Sequence, residues 1–168
     1  MRRIGVHVNS GGFGQGVAGV AQPGGLGQGV QSSPESFNVS LPFNHQLNGF
    51  RDHHQIRIVG QQHGNSFSVN LFQGDDRPLH VNARADENIL VRNSLYNGEW
   101  QHEERDGHLP WKRNELFTLD LINHGQYIEI HVNGEYLNRF NLRQQTHAVN
   151  RLEIQGDVHV HLVGVYTD

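Results

Sequence analysis

The stretch Tyr127-Ile128-Glu129-Ile130-His131-Val132-Asn133-Gly134-Glu135-Tyr136-Leu137 decides the fold class. Its first half alternates β-branched and polar residues, and this period of two is typical of a strand with one buried face. Asn-Gly is the favoured pair for a two-residue turn, because both central positions of a type I′ turn need a positive φ. The stretch therefore predicts a β-hairpin.

Segments with the same alternation lie on both sides of this hairpin. They include residues 55–59, 67–71 and 116–122, and turn signals such as His63-Gly64-Asn65 separate them. No segment longer than about one turn has helical periodicity. Short alternating strands joined by regular turns predict an all-β chain, with turns spaced as in a β-sandwich.

The C-terminal end follows the same pattern. Residues 151–154 and 158–163 both alternate, and the turn signal Gln155-Gly156-Asp157 stands between them. We therefore predict a further pair of strands at this end of the chain.

The first 35 residues have a different composition. Gly, Gln, Val and Ala dominate residues 11–31, and Gly-Gln-Gly-Val occurs at both 14–17 and 27–30. Glycine at this density makes ordering the backbone costly and leaves few side chains to bury. We expect residues 1–35 to be a flexible tail or linker and residues 36–168 to be the folded domain. A glycine-rich phosphate loop is the alternative, but it lacks the Gly-Lys-Ser/Thr sequence and the strand–helix context.

Composition restricts the function classes. Lys and Arg number 13 against 17 Asp and Glu, a net charge of -4 that does not favour a nucleic-acid partner. Cysteine is absent, which excludes disulfides, thiolate catalysis and Cys-ligated zinc. The sequence has no apolar run of the length that a secretory signal or a membrane span needs. We expect a cytoplasmic protein without membrane insertion, with non-classical secretion as its route to the extracellular space.

Polar residues alternate with small or apolar ones in Leu79-His80-Val81-Asn82-Ala83-Arg84. On a strand, His80, Asn82 and Arg84 would project from one face, because successive side chains point to opposite faces. A solvated outer face is the ordinary explanation of such a pattern. This strand alone therefore does not establish a site.

The next two predicted strands add further chemistry. One contains Asn93, and after the Asn97-Gly98 turn the chain continues with Trp100, Glu103 and Arg105. An aromatic plane packs against the C–H face of a pyranose, whereas carboxylate, amide and guanidinium groups pair with its hydroxyls. The side chains of the three strands together suit a sugar.

The spacing of Trp100 and Glu103 adds a structural test. They are three residues apart and would face opposite sides of a regular strand. We therefore predict a bulge or a sharp irregularity near Gln101-His102, which would place both on one face. On a regular strand, Trp100 would instead be a core tryptophan between the sheets, and Glu103 with Arg105 a surface ion pair.

The motifs His80-x-Asn82-x-Arg84, Val91-x-Asn93 and Trp100-x-x-Glu103-x-Arg105 resemble, in order and spacing, the carbohydrate-recognition signature of the galectins. The resemblance covers about residues 36–168. Residues 91–94 and the glycine-rich lead-in resemble the C-terminal recognition domain of a tandem-repeat galectin with part of its linker.

The chain departs from the galectin pattern at two positions. Galectins usually carry proline at the position of Ala83 and glycine at that of Gln101. We expect Ala83 to face away from the sugar. Gln101 lies in the predicted irregularity, where it could alter the tilt of Trp100 or require backbone angles that suit glycine.

The resemblance implies a jelly-roll β-sandwich of two antiparallel sheets. It also implies binding of β-galactosides of the lactose and N-acetyllactosamine type, without calcium or another cofactor. It implies that His80, Asn82 and Arg84 bond the axial 4-hydroxyl of galactose. A site built to bond this hydroxyl should reject glucose, whose equatorial 4-hydroxyl would leave polar groups unpaired.

Further roles follow from the same resemblance. Asn93 and Glu103 would bond the 6-hydroxyl, and Trp100 would stack against the sugar. Arg84, Glu103 and Arg105 would reach the neighbouring glucose or N-acetylglucosamine. An extended glycan would meet a loop beside Arg84, formed by Asp86, Glu87 and Asn88. The implied partners are glycoproteins and glycolipids that carry β-galactosides, with a second recognition domain or a homodimer supplying multivalency.

Two alternatives to a galactoside-binding protein are a glycoside hydrolase and a protein-interaction scaffold that has lost sugar binding. A glycoside hydrolase needs a pair of carboxylates, and adjacent Glu103 and Glu104 should point to opposite faces of a strand. A catalytic carboxylate pair of Glu103 with Asp86 or Glu87 stays open as an alternative. A protein-interaction scaffold on the same fold is the other alternative, although all seven signature residues are present.

A metal site is the third alternative, suggested by 13 histidines. His159 and His161 would share one face of a strand, and His53 adjoins His54. Spacing indicates no third ligand and there is no His-Glu-x-x-His helix, so we expect no metal site.

Overall fold

The computed structural model describes residues 33–167. Most of the predicted tail, residues 1–32, lies outside the described residues, so the division at residue 35 stays a prediction. Within the described part all regular elements are strands: β1 (Glu35–Val39), β2 (Phe43–Gln46), β3 (Gln55–Gln73), β4 (Asp76–Arg84), β5 (Ile89–Tyr96), β6 (Glu99–Trp100), β7 (Leu116–Asn123), β8 (Tyr127–Val132), β9 (Glu135–Asn141) and β10 (Arg151–Tyr166).

The strands form two antiparallel layers that share β3 and β10. One layer, called the site sheet below, has the order β2, β10, β3, β4, β5, β6 and uses residues 151–156 of β10 and 66–73 of β3. The second sheet has the order β1, β10, β3, β7, β8, β9 and uses residues 158–166 and 55–62. The predicted all-β sandwich is confirmed.

The predicted hairpin is also confirmed. β8 and β9 are joined by Asn133 and Gly134, whose φ angles are 52° and 85°. Two positive φ angles in a two-residue loop are those of a type I′ turn.

The prediction of a C-terminal strand pair is wrong. Residues 151–154 and 158–163 belong to one strand, β10, which shifts register between Gly156 and Val158 and continues into the other layer. Residues 55–59 and 67–71 are likewise parts of β3, because its Gly64 lies within a continuous strand.

The core lies between the two sheets. Phe67 of the site sheet and Phe117 of the second sheet stack with ring centroids 5.7 Å apart, and Trp111 stacks on Phe117 at 4.1 Å. The Trp111 indole donates to Gln62 Oε1 at 2.8 Å, and Gln62 Nε2 donates to the Ala83 carbonyl at 3.2 Å. These bonds satisfy a buried indole and a buried amide, which would otherwise be costly to desolvate. None of the described residues forms a helix long and apolar enough to cross a membrane.

Candidate functional site

β4 presents the polar residues that the alternation predicted. Its apolar residues Leu79, Val81 and Ala83 are at most 1% exposed and belong to the core. His80, Asn82 and Arg84 alternate with them and are half-buried on the opposite face. Ala83 therefore faces away from the candidate site, as the sequence predicted.

Asn93 lies beside His80 on the neighbouring strand. The two residues are direct partners in the pairing of β4 with β5. The Asn93 side chain donates from Nδ2 to the Gln101 carbonyl at 3.2 Å, and its Oδ1 accepts from the Ser94 amide at 2.7 Å. Asn93 thus connects β5 to the segment that follows Trp100.

The predicted irregularity after Trp100 is present. Leu95 pairs with Trp100, and Gln101 N still donates to the Ser94 carbonyl at 3.0 Å, as in a regular ladder. Continuation of that register would pair Arg92 with residue 103, but Arg92 pairs with Glu104 instead. One extra residue is inserted, and it turns Trp100 and Glu103 to the same side.

Gln101 fits this irregularity without a glycine conformation. It is not among the described non-glycine residues that have a positive φ. Its side-chain Nε2 donates to the Glu99 carbonyl at 2.8 Å. The irregularity therefore does not require at Gln101 the positive φ that favours glycine.

The site residues surround an open groove of about 440 Å³. Its lining comprises His80, Arg84, Asn93, Trp100, Gln101 and Glu103. Of the seven predicted site residues, Asn82 and Arg105 are not part of this lining but bond to residues that are. Asn82 Oδ1 accepts from Arg84 Nε at 2.6 Å, and Arg105 Nη1 donates to Glu103 Oε1 at 2.8 Å. The structure thus brings all seven side chains together.

Trp100 is the exposed aromatic surface of the groove. Its side chain is 49% exposed, whereas Trp111 in the core is 4% exposed. The Trp100 ring lies 4.7 Å from the His80 ring at an interplanar angle of 57°. An exposed aromatic plane next to hydrogen-bonding groups is the arrangement that a sugar's C–H face and hydroxyl rim require.

Charges alternate at one end of the groove. Arg84 donates to Glu103 at 2.9 Å, and Arg105 contacts both Glu103 and Glu87. The hydrogen bonds from Arg105 and then Arg84 lower the pKa of the Glu103 carboxyl. Glu103 is therefore an ionised acceptor at neutral pH, held in place by two guanidinium groups.

A buried hydrogen-bond chain fixes the protonation of His80. Asn70 Nδ2 donates to Glu153 Oε1 at 3.1 Å, so the Asn70 amide oxygen faces His80 Nδ1 at 2.6 Å. Because an amide oxygen only accepts, Nδ1 carries the proton and Nε2 keeps its lone pair. Burial, and then the charges of Arg77 and Arg84, lower the pKa of His80 to about 4. His80 is thus a neutral acceptor at pH 7.

The loop predicted to meet an extended glycan is only partly free. Glu87 belongs to the ion pairs with Arg84 and Arg105, and the Asp86 backbone amide donates to Asn65 Oδ1 at 3.0 Å. Asn88 has a positive φ of 56° and is exposed. The loop borders the charged end of the groove, where Glu87 already has a role.

Sequence reasoning did not single out several residues that shape the groove. Asn70 and Glu153 act through His80, while Arg143 contacts Asn93. Asn70 could have been found from the alternation of residues 67–71 once its strand was paired with β4. Arg143 is 50 residues from Asn93, and no spacing rule connects the two.

The histidines considered for a metal site have other contacts. His54 Nδ1 accepts from the Arg51 amide at 2.8 Å, and His161 Nε2 lies 2.9 Å from Gln61 Oε1. The rings of His159 and His161 meet edge to face at 4.6 Å. Within residues 33–167, no group of three or more potential ligands is placed to hold a metal ion.

Comparison with known proteins places this geometry in a family context. Residues 42–165 match the sequence model of the family described as galactoside-binding lectin. The chain is 39% identical over 93 residues to a 32 kDa beta-galactoside-binding lectin of Haemonchus contortus, which covers 55% of this chain and 33% of that protein. It is 34% identical over 136 residues to human galectin-4, and this match covers 77% of this chain and 42% of that protein.

A solved structure supports the same relationship. The crystal structure of Caenorhabditis elegans galectin LEC-6 superposes with a TM-score of 0.77 at 37% identity, over 82% of this chain and 99% of that one. The antiparallel sandwich is thus the jelly roll that the sequence predicted. The chain spans about a third to two fifths of the length of the two curated relatives.

Proposed function

The chain belongs to the galactoside-binding lectin family, the galectins, and from this membership we propose that its groove binds β-galactosides of the lactose and N-acetyllactosamine type. The observation that carries the proposal is the convergence of an exposed Trp100 with His80, Arg84, Asn93 and Glu103 on one groove. Each of the four polar side chains acts as a defined donor or acceptor, and a sugar with the matching hydroxyl pattern would satisfy them.

The axial 4-hydroxyl of galactose would contact His80, Asn82 and Arg84. His80 Nε2 accepts a hydrogen bond and Arg84 donates one, so a single hydroxyl can satisfy both by donating and accepting. An equatorial hydroxyl would leave these half-buried groups unpaired, which costs about 1 to 3 kcal/mol for each group. This difference supports selection of galactose over glucose.

Trp100 would stack on the C–H face of the galactose, and the charged end of the groove would receive the second sugar. Arg84, Glu103 and Arg105 present paired donors and acceptors there. A groove that holds one disaccharide should bind weakly, on the order of 0.1 to 1 mM. The relatives' greater length fits a second recognition domain that would raise the apparent affinity through multivalency.

The experiment compares two exposed aromatic residues. W100A should abolish retention on immobilised lactose, because it removes the stacking surface. The matched control is Y136A, which removes a residue on β9 that is 56% exposed and distant in sequence from the groove residues. Y136A should be retained as the unaltered protein is. Equal retention of W100A and Y136A would refute the proposed site, and loss of retention in EDTA would refute calcium independence.

Binding without hydrolysis is favoured by the charge state of Glu103. A glycosidase acid needs a carboxyl whose pKa is raised so that it can donate a proton. Arg105 and Arg84 lower the pKa of Glu103, and Glu104 is paired with Arg92 and Arg143. Prolonged incubation with lactose should therefore release no galactose, whereas release that W100A abolishes would support a hydrolase.

A further inference from the structure

A side chain from a loop that follows the second sheet's last strand, β9, contacts the groove residue Asn93. Arg143 lies in the loop between β9 and β10. Its Nη1 donates to Asn93 Oδ1 and to Ser94 Oγ, both at 3.0 Å. Its Nη2 donates to the His102 carbonyl at 2.7 Å and to Glu104 Oε2 at 3.3 Å. One guanidinium thus connects β5 to the irregular segment after Trp100.

These contacts determine the orientation of the Asn93 amide. Asn93 is 3% exposed, and its Oδ1 accepts from both Arg143 and the Ser94 amide. A flipped amide would turn its NH₂ group toward a cation and a backbone N–H, with no acceptor there. With the observed orientation, Nδ2 donates one hydrogen to the Gln101 carbonyl and has a second for the groove. Asn93 therefore presents a donor to the ligand.

The same guanidinium stabilises the irregular segment from Trp100 to Glu104, which contributes Trp100 and Glu103 to the groove. Its bonds to His102 and Glu104 hold the two residues on either side of Glu103. Arg143 is itself packed against the buried ring of Phe140, with Cζ 4.8 Å from the ring centroid. The core of the second sheet thus supports the irregular segment through Arg143.

We propose that Arg143 is a positioning residue that sets the selectivity of the groove for the exocyclic 6-hydroxyl of galactose. It does so by fixing Asn93 as a donor and by holding the segment between Trp100 and Glu104. The inference rests on the proposed function and takes Asn93 as a donor to the 6-hydroxyl, the role that the resemblance to the galectins implies for it.

The test compares lactose with its analogue lacking the 6-hydroxyl on galactose, by titration calorimetry or NMR. The unaltered protein should bind lactose more tightly than the 6′-deoxy analogue. R143M should weaken lactose binding about tenfold, roughly the effect of losing one well-made hydrogen bond. It should also lower the ratio of the lactose affinity to the 6′-deoxy analogue's affinity toward one, which a general loss of stability would not do.

The matched control is R139M. Arg139 is two residues before Asn141 at the end of β9, and its guanidinium lies over the Tyr127 ring at 4.3 Å instead of reaching Asn93. R139M removes the same charge and should keep both affinities. A wild-type ratio in R143M would overturn the inference.

R143K keeps the proposal testable if R143M does not fold. Lysine retains the charge but lacks the planar fork that serves four acceptors, so the ratio should fall partway. A wild-type ratio in R143K would also overturn the inference. Failure of the unaltered protein to bind lactose would refute the proposed function, whereas binding with an unchanged ratio in the variants would refute only the role of Arg143.

Discussion

His80 illustrates how one residue's protonation depends on several neighbours. Glu153 orients Asn70, and Asn70 orients the imidazole. Burial, and then the charges of Arg77 and Arg84, oppose its protonation. A residue that usually titrates near neutral pH is thereby kept neutral over a wide range. The groove's hydrogen-bonding sense should therefore be insensitive to mild acid.

Lactose affinity should stay constant between pH 7 and pH 5 and decline as pH approaches 4. The pKa of His80 is lowered to about 4, and its protonation would convert Nε2 from an acceptor into a donor and place a third cation beside Arg77 and Arg84. Calorimetric titrations at several pH values, with circular dichroism to confirm folding, would measure this. A decline centred near pH 6.5 would contradict it.

Removing Arg77 should raise the pH at which lactose affinity declines. Its charge is the second cause that lowers the pKa of His80, so R77M should shift the decline in lactose affinity to a higher pH. The control is R151M, because Arg151 also lies over the Phe72 ring, at 3.9 Å, but is not a cause of the His80 shift. An identical pH profile in R77M and R151M would show that Arg77 has no such effect.

At the scale of elements, the bends of β3 and β10 place the site sheet over the second sheet. Gly64 of β3 and Asp157 of β10 face each other, and Asp157 Oδ2 accepts from the Asn65 amide at 3.1 Å. Gly156 has a φ of 114°, in the region that other residues rarely adopt. The two strands thus turn together where their small and polar residues meet.

Gly156 should not tolerate a side chain. A Cβ at this position would lie 2.6 Å from the Phe67 Cα and from the Ser66 carbonyl oxygen, and neither backbone atom can move freely. G156A should destabilise the domain by more than about 2 kcal/mol, since strain at φ and steric overlap add. G98A is the control, because Gly98 also has a positive φ of 82° but has nothing within 4 Å. Urea unfolding would measure both, and equal losses would exclude steric overlap as the cause.

These bends also show where sequence reasoning succeeds and where it stops. Alternation placed the faces of β4 correctly, and the three-residue spacing of Trp100 and Glu103 predicted the inserted residue. Glycine with polar neighbours at 63–65 and 155–157 indicated turns, although each strand continues through them. Local composition indicates that the chain bends but not whether strand pairing continues through the bend. Contacts between residues distant in sequence, such as Arg143 with Asn93, likewise cannot be found from local composition.

At the scale of the whole molecule, two buried charges, on Asp120 and Arg92, are neutralised by partners from other parts of the chain. Asp120 is fully buried and accepts from Arg57 Nε at 2.7 Å and Nη2 at 2.9 Å. Arg92, 1% exposed, donates to Asp106 at 2.6 Å. A hydrogen bond from Arg92 lowers the pKa of the Asp106 carboxyl, and one from His131 lowers the pKa of the Glu129 carboxyl. Their contributions to stability persist at neutral pH and are lost only as pH falls through these lowered values.

Between pH 6.5 and 4, the stability of the domain should therefore respond mainly to His80. The unfolded chain binds a proton at His80 below its ordinary pKa of 6.5, whereas the folded chain does so only near pH 4. Protons thus favour the unfolded state in this window, and the free energy of unfolding should fall by up to about 3 kcal/mol as pH decreases. Urea unfolding at pH 7, 5.5 and 4 would measure the slope. H80Q should flatten it, even if it lowers stability overall, and H63Q controls for the loss of one exposed histidine. A slope unchanged in H80Q would mean that other groups take up the protons.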